Sequence, residues 1–284
     1  MRGRSAITAL GLALWALSAS LAPALAQEPP RRVVSMNVCT DQLAMLVAGE
    51  GQLHSVSFLA SDPDTSVMAN EAGKYAVNHG LAEEVFLMQP DLVLAGAYTA
   101  QPAVNMLRRL GFRVELFDPE TSFDDIRANL RRMGELLGNP DRAAQLVNDM
   151  DRQLAALESE NVSKRSAVVY SSNSYTSGMG SLSHSVIEAA GLANLADQLG
   201  VVGYGRVPLE QLVLAKPDLV VLGEQRYKHP ALAQENFRHP AFKELTGDHR
   251  LVRIPDRYWV CGAPFTVEAV RMLKDAATST GSVK

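Results

Sequence analysis

A phrase that occurs twice, on either side of one long helical segment, most restricts how this chain can fold. The first copy is EEVFLMQPDLVLAG at residues 83–96, and the second is EQLVLAKPDLVVLG at residues 210–223. Glu, Pro, Asp and Gly recur in both copies at one offset of 127 residues. Each copy predicts a short helix that ends before the Pro, followed by a buried strand. A helix–strand unit repeated at this distance predicts two similar lobes.

The segment between the two copies predicts a single helix over residues 139–158. Asn139 suits the cap and Pro140 the first helical position, where a missing N–H has little cost. The apolar residues recur at spacings of three and four and form one stripe: Ala143, Val147, Met150, Leu154 and Leu157. Such a helix would be about 28 Å long, roughly the width of a small domain. We therefore assign residues 31–138 to an N-terminal lobe, 139–160 to a linking helix and 164–284 to a C-terminal lobe.

Strand and helix patterns alternate within each lobe, and the strands are continuous apolar runs. Parallel sheets that are covered on both faces have this pattern. The fold class is therefore α/β, with two lobes that each contain a central, mainly parallel sheet flanked by helices and are joined by one long helix. Other predicted helices are Asp41–Val47, Ala82–Met88, Gln101–Leu110, Phe123–Leu137 with Ser122 as its cap, His184–Ala190, Pro240–Leu245 and Thr266–Ala276.

Ligands of open parallel sheets bind outside the carboxyl ends of the strands. If the two lobes face each other, the loops after their strands border one shared cleft. These loops are Met36–Thr40, Leu59–Asp64, Gly96–Thr99, Asp118–Thr121, Ser171–Ser181, Gly223–Tyr227 and Asp256–Phe265.

The first 26 residues have the pattern of a signal peptide. Arg2 and Arg4 precede an apolar stretch at residues 6–17, and Ala24-Leu25-Ala26 is a typical cleavage site. A membrane anchor is the alternative, but Ser and Pro residues interrupt the apolar run. We therefore expect cleavage after residue 26 and export to the periplasm.

Composition argues against nucleic acid as a partner. The net charge is −4, and loss of Arg2 and Arg4 with the signal peptide would change it to −6. No run of Lys or Arg provides the basic surface that nucleic acid requires.

Two cysteines, Cys39 and Cys261, are the only ones in the sequence. In an oxidising compartment such a pair favours a disulfide. Free thiols and thiolate ligands of a metal remain as alternatives, although no CxxC, HxH or HExxH spacing is present.

Motifs of common α/β enzymes are missing from the sequence. It contains no GxSxG, GxGxxG or phosphate-binding P-loop pattern. A binding protein without catalytic activity is therefore favoured. The alternative is a periplasmic α/β enzyme or a ligand sensor that uses the same cleft.

These features together resemble the periplasmic solute-binding proteins of ABC importers for cobalamin, iron–siderophore complexes and haem. The resemblance rests on the export signal, on Ser35 and Asn37 at the start of the first loop, on the paired E-x6-PD phrases and on the linking helix. It covers nearly all of the chain after residue 26. It implies a monomer that captures a corrinoid, a ferric siderophore or haem, in that order of preference, and delivers it to membrane permease subunits. The ligand would itself contain cobalt or iron, and no other cofactor or metal site is expected.

The resemblance also implies roles for individual residues. A glutamate on each lobe, Glu83 and Glu210, would dock the permease, since one carboxylate at each tip gives a two-point electrostatic register. Their alternative role is to complement the helix dipole, and Glu84 replaces Glu83 if the helix begins one residue later.

Ligand-binding residues are expected in the post-strand loops, where aromatic rings and arginines suit a large metal chelate. For Phe58 and Trp259 the alternative is packing in the core, and for Arg226 and Arg257 a solvated surface charge. The expected set is Asn37, Cys39, Phe58, Tyr98, Tyr175, Arg226, Tyr227, Arg257 and Trp259.

Overall fold

The computed structural model describes residues 28–158, 165–223, 232–247 and 250–279. It confirms the α/β class, with two parallel sheets flanked by helices on either side of one long helix. The predicted signal peptide, residues 1–26, lies outside the described residues. None of the helices in the described ranges combines the length and the apolar character that a membrane span needs.

The first half is built on a five-stranded sheet in which every strand pair is parallel. The strand order is β3-β2-β1-β4-β5. The strands are β1 (Val33–Ser35), β2 (Leu53–Ser57), β3 (Ala76–Asn78), β4 (Leu92–Gly96) and β5 (Val114–Phe117). Its helices are α1 (Val38–Val47), α2 (Ala69–Ala72), α3 (Ala82–Met88), α4 (Gln101–Arg109) and α5 (Phe123–Leu137).

Helix boundaries in this half were predictable where a cap stands in the sequence. The Ser122 hydroxyl accepts the Asp125 N–H at 3.1 Å, and α5 spans the predicted residues. The predicted loop Met36–Thr40 was wrong, because the Asn37 side chain accepts the Cys39 N–H at 3.0 Å and starts α1 at Val38. Strand β3 was not predicted. It has two exposed residues out of three, so it lacks an apolar run.

The second half contains a four-stranded parallel sheet and a two-stranded antiparallel ribbon. The sheet order is β11-β10-β6-β8, and the ribbon pairs β7 with β9. The strands are β6 (Ser166–Val169), β7 (Tyr175–Ser177), β8 (Ala193–Asn194), β9 (Tyr204–Arg206), β10 (Leu219–Gly223) and β11 (Leu251–Ile254). The helices are α6 (Pro140–Glu158), which links the halves, α7 (Leu182–Ala189), α8 (Leu195–Gln198), α9 (Leu209–Ala215), α10 (Glu235–Arg238), α11 (Pro240–Thr246) and α12 (Val267–Ser279).

The ribbon replaces part of a loop that was predicted over residues 171–181. Glycine allows this close packing, because a Cβ at Gly178 would collide with the Val201 carbonyl and one at Gly205 would lie 2.9 Å from the Val201 side chain. A segment rich in Ser and Gly predicts a loop from its composition, whereas here Gly is needed for backbone proximity.

The two copies of the repeated phrase fold alike. Helices α3 and α9 both end at a residue in the left-handed conformation, Gln89 with φ 47° and Lys216 with φ 50°. The following Pro is buried in both copies. The next strand, β4 or β10, is five residues long in each half.

The repeated aspartate ties each copy to the first strand of its own sheet. Asp91 accepts the N–H groups of Arg31 and Arg32, at 2.6 and 3.0 Å. Asp218 accepts the N–H of Ser166 at 2.7 Å. Asp in this phrase therefore has a structural role, because it satisfies backbone donors at the amino end of β1 and of β6.

Helix α6 joins the two halves through one continuous hydrophobic core. It packs against α5 of the first half and against α7 and α12 of the second. The predicted stripe lies on its inner face, where Ala143, Val147, Met150 and Leu157 are buried and Leu154 is partly buried. The largest core cluster extends from Val33 in β1 to Ala277 in α12.

A carboxyl group is buried in the first half, below the start of α1. Asp41 is fully buried, and the amide and hydroxyl of Ser57 donate to its carboxylate at 3.1 and 2.5 Å. Burial raises the pKa of Asp41 from its ordinary 3.8 to about 7, although these hydrogen bonds lower it. Between about pH 4 and pH 7 the folded state therefore holds a proton that the unfolded state has lost.

Replacement of Asp41 by Asn should flatten the dependence of stability on pH. Protonated Asp41 contributes its full stability below about pH 4, and this contribution is lost as the pH rises to about 7. A raised pKa of this size is equivalent to up to about 4 kcal/mol. Urea unfolding of wild type and Asp41→Asn from pH 4 to pH 8 measures the difference in slope. The exposed Glu50→Gln variant should follow wild type, and an Asp41→Asn profile parallel to wild type would contradict the assignment.

Candidate functional site

A cavity of about 290 Å³ lies between the two halves, at the carboxyl ends of the first sheet. The first half provides residues that follow β1, β4 and β5, as the parallel topology predicts. The second half provides Tyr204 of β9 and Val260, which precedes α12. The full lining is Asn37, Cys39, Thr40, Gly96, Ala97, Tyr98, Phe117, Asp118, Pro119, Glu120, Tyr204 and Val260.

The start of α1 forms one wall of this cavity. Asn37 is held by the hydrogen bond that caps α1, and its side chain lies against the backbone of Gly96. A Cβ at Gly96 would approach the Asn37 side chain to 3.1 Å. The close contact between the ends of β1 and β4 therefore depends on glycine at position 96.

A disulfide joins the two halves at the edge of the cavity. Cys39 in the first turn of α1 is bonded to Cys261, and their Cα atoms are 5.1 Å apart. Of the alternatives open from the sequence, the structure contains the bonded pair, and no free cysteine is present. The bond limits how far α1 can separate from the segment before α12.

Glu120 is a second connection between the halves and was not among the expected site residues. Its buried carboxylate accepts the Gly262 N–H at 3.2 Å and the Asn129 side-chain N–H at 2.7 Å. Burial raises the pKa of Glu120, while the hydrogen bonds from Asn129 and Gly262 oppose the shift. Gly262 leaves no room for a Cβ beside this carboxylate.

Two further hydrogen bonds cross between the halves near the same place. The Ser185 hydroxyl donates to the Thr121 carbonyl at 3.2 Å, and the Arg257 guanidinium donates to the Pro63 carbonyl at 3.2 Å. Together with the disulfide and Glu120, they form the closed base of the cleft. The name "closed base" refers below to these four connections.

Two exposed tyrosines face this cavity from opposite halves. The exposed fraction is 88% for Tyr98, just after β4, and 75% for Tyr204 in β9. Such rings present a large contact area with few rotatable bonds. Tyr98 was an expected ligand residue, whereas Tyr204 was not.

Other expected ligand residues lie away from the cavity wall. Phe58 is half-exposed and stacks on His79, with ring centroids 5.5 Å apart. Tyr175 lies below the Arg206 guanidinium, 4.7 Å from its ring centroid. Arg257 belongs to the closed base, and Trp259 is buried in the main core. The expected residues Arg226 and Tyr227 lie outside the described residues.

Signals for the residues that were missed were present in the sequence but ambiguous. Glu120 and Val260 fall within predicted site loops, yet a glutamate or a valine in a loop has no chemical signature of its own. Tyr204 stands between Gly203 and Gly205, which we had weighed only as part of a nucleotide-binding pattern.

Both expected docking glutamates are exposed, in the first turns of α3 and α9. Glu84 is engaged locally, because its carboxylate accepts the His79 N–H at 2.6 Å. This hydrogen bond lowers the pKa of Glu84. Since α3 begins at Ala82, the structure favours Glu83 over Glu84 as the outward carboxylate.

Histidine, cysteine and acidic side chains do not form a metal site in the described ranges. No group of three or more of them converges there on a point where a metal ion could be held.

Comparison with known proteins relates the chain to binding proteins. The family described as periplasmic binding protein matches residues 33–247. A cobalamin-binding protein of Halobacterium salinarum is 29% identical over 68% of this chain and 54% of its own length. The chain thus spans about half the length of that relative. A vitamin B12-binding protein of Salmonella choleraesuis is 28% identical over 67% of this chain and 71% of its own length.

Among solved structures, a periplasmic heme-binding protein of Roseiflexus has a similar fold. The TM-score is 0.72, the sequence identity is 20%, and the match covers 89% of this chain and 99% of that one.

Removal of the disulfide should destabilise the protein. The bond joins residues 222 positions apart, and loss of such a link costs about 2–5 kcal/mol. Urea unfolding of the Cys39→Ser/Cys261→Ser double variant, with and without reductant, measures this cost. Reductant should lower the stability of wild type to the level of the variant and should leave the variant unchanged. Equal stability of wild type and variant in the absence of reductant would contradict the expectation.

Proposed function

The chain belongs to the periplasmic binding protein family, and on this premise we propose that it captures a metal chelate in the periplasm for an ABC importer. The ligand is a corrinoid, a ferric siderophore or haem. The protein delivers it to the membrane permease subunits and does not itself catalyse a reaction.

One observation carries this proposal: Tyr98 and Tyr204, from opposite halves, line the same cavity with most of their surface exposed. Exposed aromatic rings contribute no core packing, so their stabilising contact is with a ligand. Ring faces on two sides match a flat or bulky chelate better than a small polar solute.

The cavity is adapted to hold only part of such a ligand. Its volume of about 290 Å³ is at the lower end of the roughly 300–1,000 Å³ that ligand pockets occupy. The closed base cannot widen without loss of its four connections. A chelate would therefore sit at the mouth, with one edge in the cavity and the remainder between the tyrosines.

Corrinoids are the first ligands to test. Two relatives that carry cobalamin or vitamin B12 in their names match about two thirds of this chain, at 28–29% identity. The haem-binding neighbour, at 20% identity, supports the fold alone.

Docking on the permease is assigned to Glu83 and Glu210. Both are exposed, and neither has a hydrogen bond or an ion pair within the described part of the chain. Two carboxylates at equivalent positions of two lobes provide two-point electrostatic recognition of basic side chains.

Loss of either tyrosine should weaken ligand binding. Tyr98→Ala and Tyr204→Ala are each expected to raise the Kd for cyanocobalamin about tenfold, because an aromatic anchor is removed from the mouth of the cavity. Titration calorimetry measures the Kd, and the rise in melting temperature with ligand provides a second readout. If cyanocobalamin does not bind wild type, ferrichrome and haemin are tested in the same way.

Tyr175→Ala is the matched control, because Tyr175 is an exposed tyrosine outside the cavity lining. It should bind like wild type. An unchanged Kd in both Tyr98→Ala and Tyr204→Ala would remove the cavity as the binding site, and failure of all three chelates to bind wild type would refute the proposed ligand class.

Neutralising the docking carboxylates should impair transport but not capture. Glu83→Gln/Glu210→Gln should retain the wild-type Kd for ligand and lower the uptake rate roughly tenfold in proteoliposomes that contain the permease and its ATPase. The wild-type rate should fall with rising salt, since exposed charge pairs are screened. Glu50→Gln, an exposed carboxylate at the opposite edge of the first sheet, is the control. Equal uptake by the double variant and wild type would exclude these glutamates from docking.

A further inference from the structure

An exposed leucine occurs at the same position in both copies of the repeat. The exposed fraction is 79% for Leu87 on α3 and 80% for Leu214 on α9, and the two are again 127 residues apart. These are among the most exposed large apolar side chains in the described residues. Core packing does not explain them, because burial is what makes a leucine stabilising.

Each leucine lies beside an expected docking glutamate. Glu83 and Leu87 are four residues apart on α3, as are Glu210 and Leu214 on α9, and residues at this spacing share one helix face. The opposite face of each helix holds the buried contact, Val85 in α3 and Leu212 in α9. Each lobe therefore presents a carboxylate and an isobutyl group side by side. We name these two surfaces the N-tip (Glu83 and Leu87) and the C-tip (Glu210 and Leu214).

The N-tip continues into an apolar groove between α3 and α4. The groove has a volume of about 360 Å³ and is lined by Ala82, Glu83, Phe86, Leu87, Met106 and Leu110. The Phe86 ring, 41% exposed, is held edge-on to Phe112 with centroids 5.9 Å apart. Val213 takes the place of Phe86 in the second copy, so the C-tip offers less apolar surface than the N-tip.

The chemistry of the tips selects the kind of partner. A carboxylate beside an apolar side chain fits a basic side chain with an apolar neighbour, and it repels an anionic lipid headgroup. A second copy of this chain that docked tip to tip would place Glu against Glu, which is unfavourable. Two equivalent tips also require a partner that presents its contact twice, as two identical subunits do.

We propose that Leu87 and Leu214 are apolar contact residues for a partner of two identical membrane subunits. On this proposal each subunit places a basic residue on the glutamate of one tip and an apolar residue on its leucine. The groove beside Leu87 makes the N-tip the stronger of the two contacts. The proposal rests on the proposed docking to a permease and extends it from two charges to two mixed surfaces.

Photocrosslinking in cells of the source organism tests which protein contacts the leucines. Leu87 and Leu214 are replaced, one at a time, by p-benzoylphenylalanine in the full chain, with Val77 as an exposed apolar control on an edge strand of the first sheet. Both leucine positions should crosslink to the same segment of one membrane protein, and Val77 should not. Crosslinks to two different proteins, to a second copy of this chain or to no protein would overturn the inference.

Affinity measurements on the membrane protein identified in this way separate the inference from the function on which it rests. Leu87→Asn should weaken docking about tenfold, Leu214→Asn less, and the conservative Leu87→Met should retain wild-type affinity. Unchanged docking by both Asn variants, with weakened docking by Glu83→Gln/Glu210→Gln, would refute the leucine contacts and leave the charge contacts in place. Unchanged docking by all of these variants, with cyanocobalamin still bound, would refute the docking surface as a whole. Melting temperatures equal to that of wild type confirm that the variants are folded.

Discussion

The apolar face of α6 is the feature on which the rest of this structure depends. Each half has a sheet of its own, yet the largest core cluster passes from one half to the other through Leu146, Val147 and Met150 of this helix. A linker that only bridged two domains would expose these residues. Since their burial requires both halves, the helix fixes the relative position of the sheets, and separation of the halves would expose apolar surface at about 25 cal/mol per Å².

A fixed frame of this kind changes how the cleft can recognise a ligand. The closed base adds a covalent bond and three hydrogen bonds to the packing of α6, so wide hinge opening would break several connections at once. Recognition then depends on the groups that remain free to adjust at the mouth. Tyr98 and Tyr204 are the main ones, because their rings are exposed while the backbone that carries them belongs to, or directly follows, a strand. Little entropy is lost when a preformed site of this kind binds its ligand.

The sequence predicted the parts of the fold that have a local cause. The stripe of α6, the Ser122 cap and the repeated helix–strand unit each follow from spacing or from one side chain, and all three appear in the structure. Long-range contacts could not be predicted in this way. Glu120 reaches its site because Gly262, which is remote in sequence, leaves space for it, and the β7–β9 ribbon depends on how closely Val201 approaches two glycines. Neither cause is visible within a window of ten residues.

The repeat itself separates what the fold requires from what it does not. Asp91 and Asp218 recur because each satisfies backbone N–H groups of the adjacent strand, and Gln89 and Lys216 recur as helix ends in the left-handed conformation. The glutamates have a partial structural explanation, since an acid in the first turn of a helix is worth about 0.3–1 kcal/mol. The leucines have none, because a side chain that is four-fifths exposed contributes little to folding. A feature that is present twice and unexplained by folding in either place points to an external contact, and its duplication indicates that the partner is itself twofold.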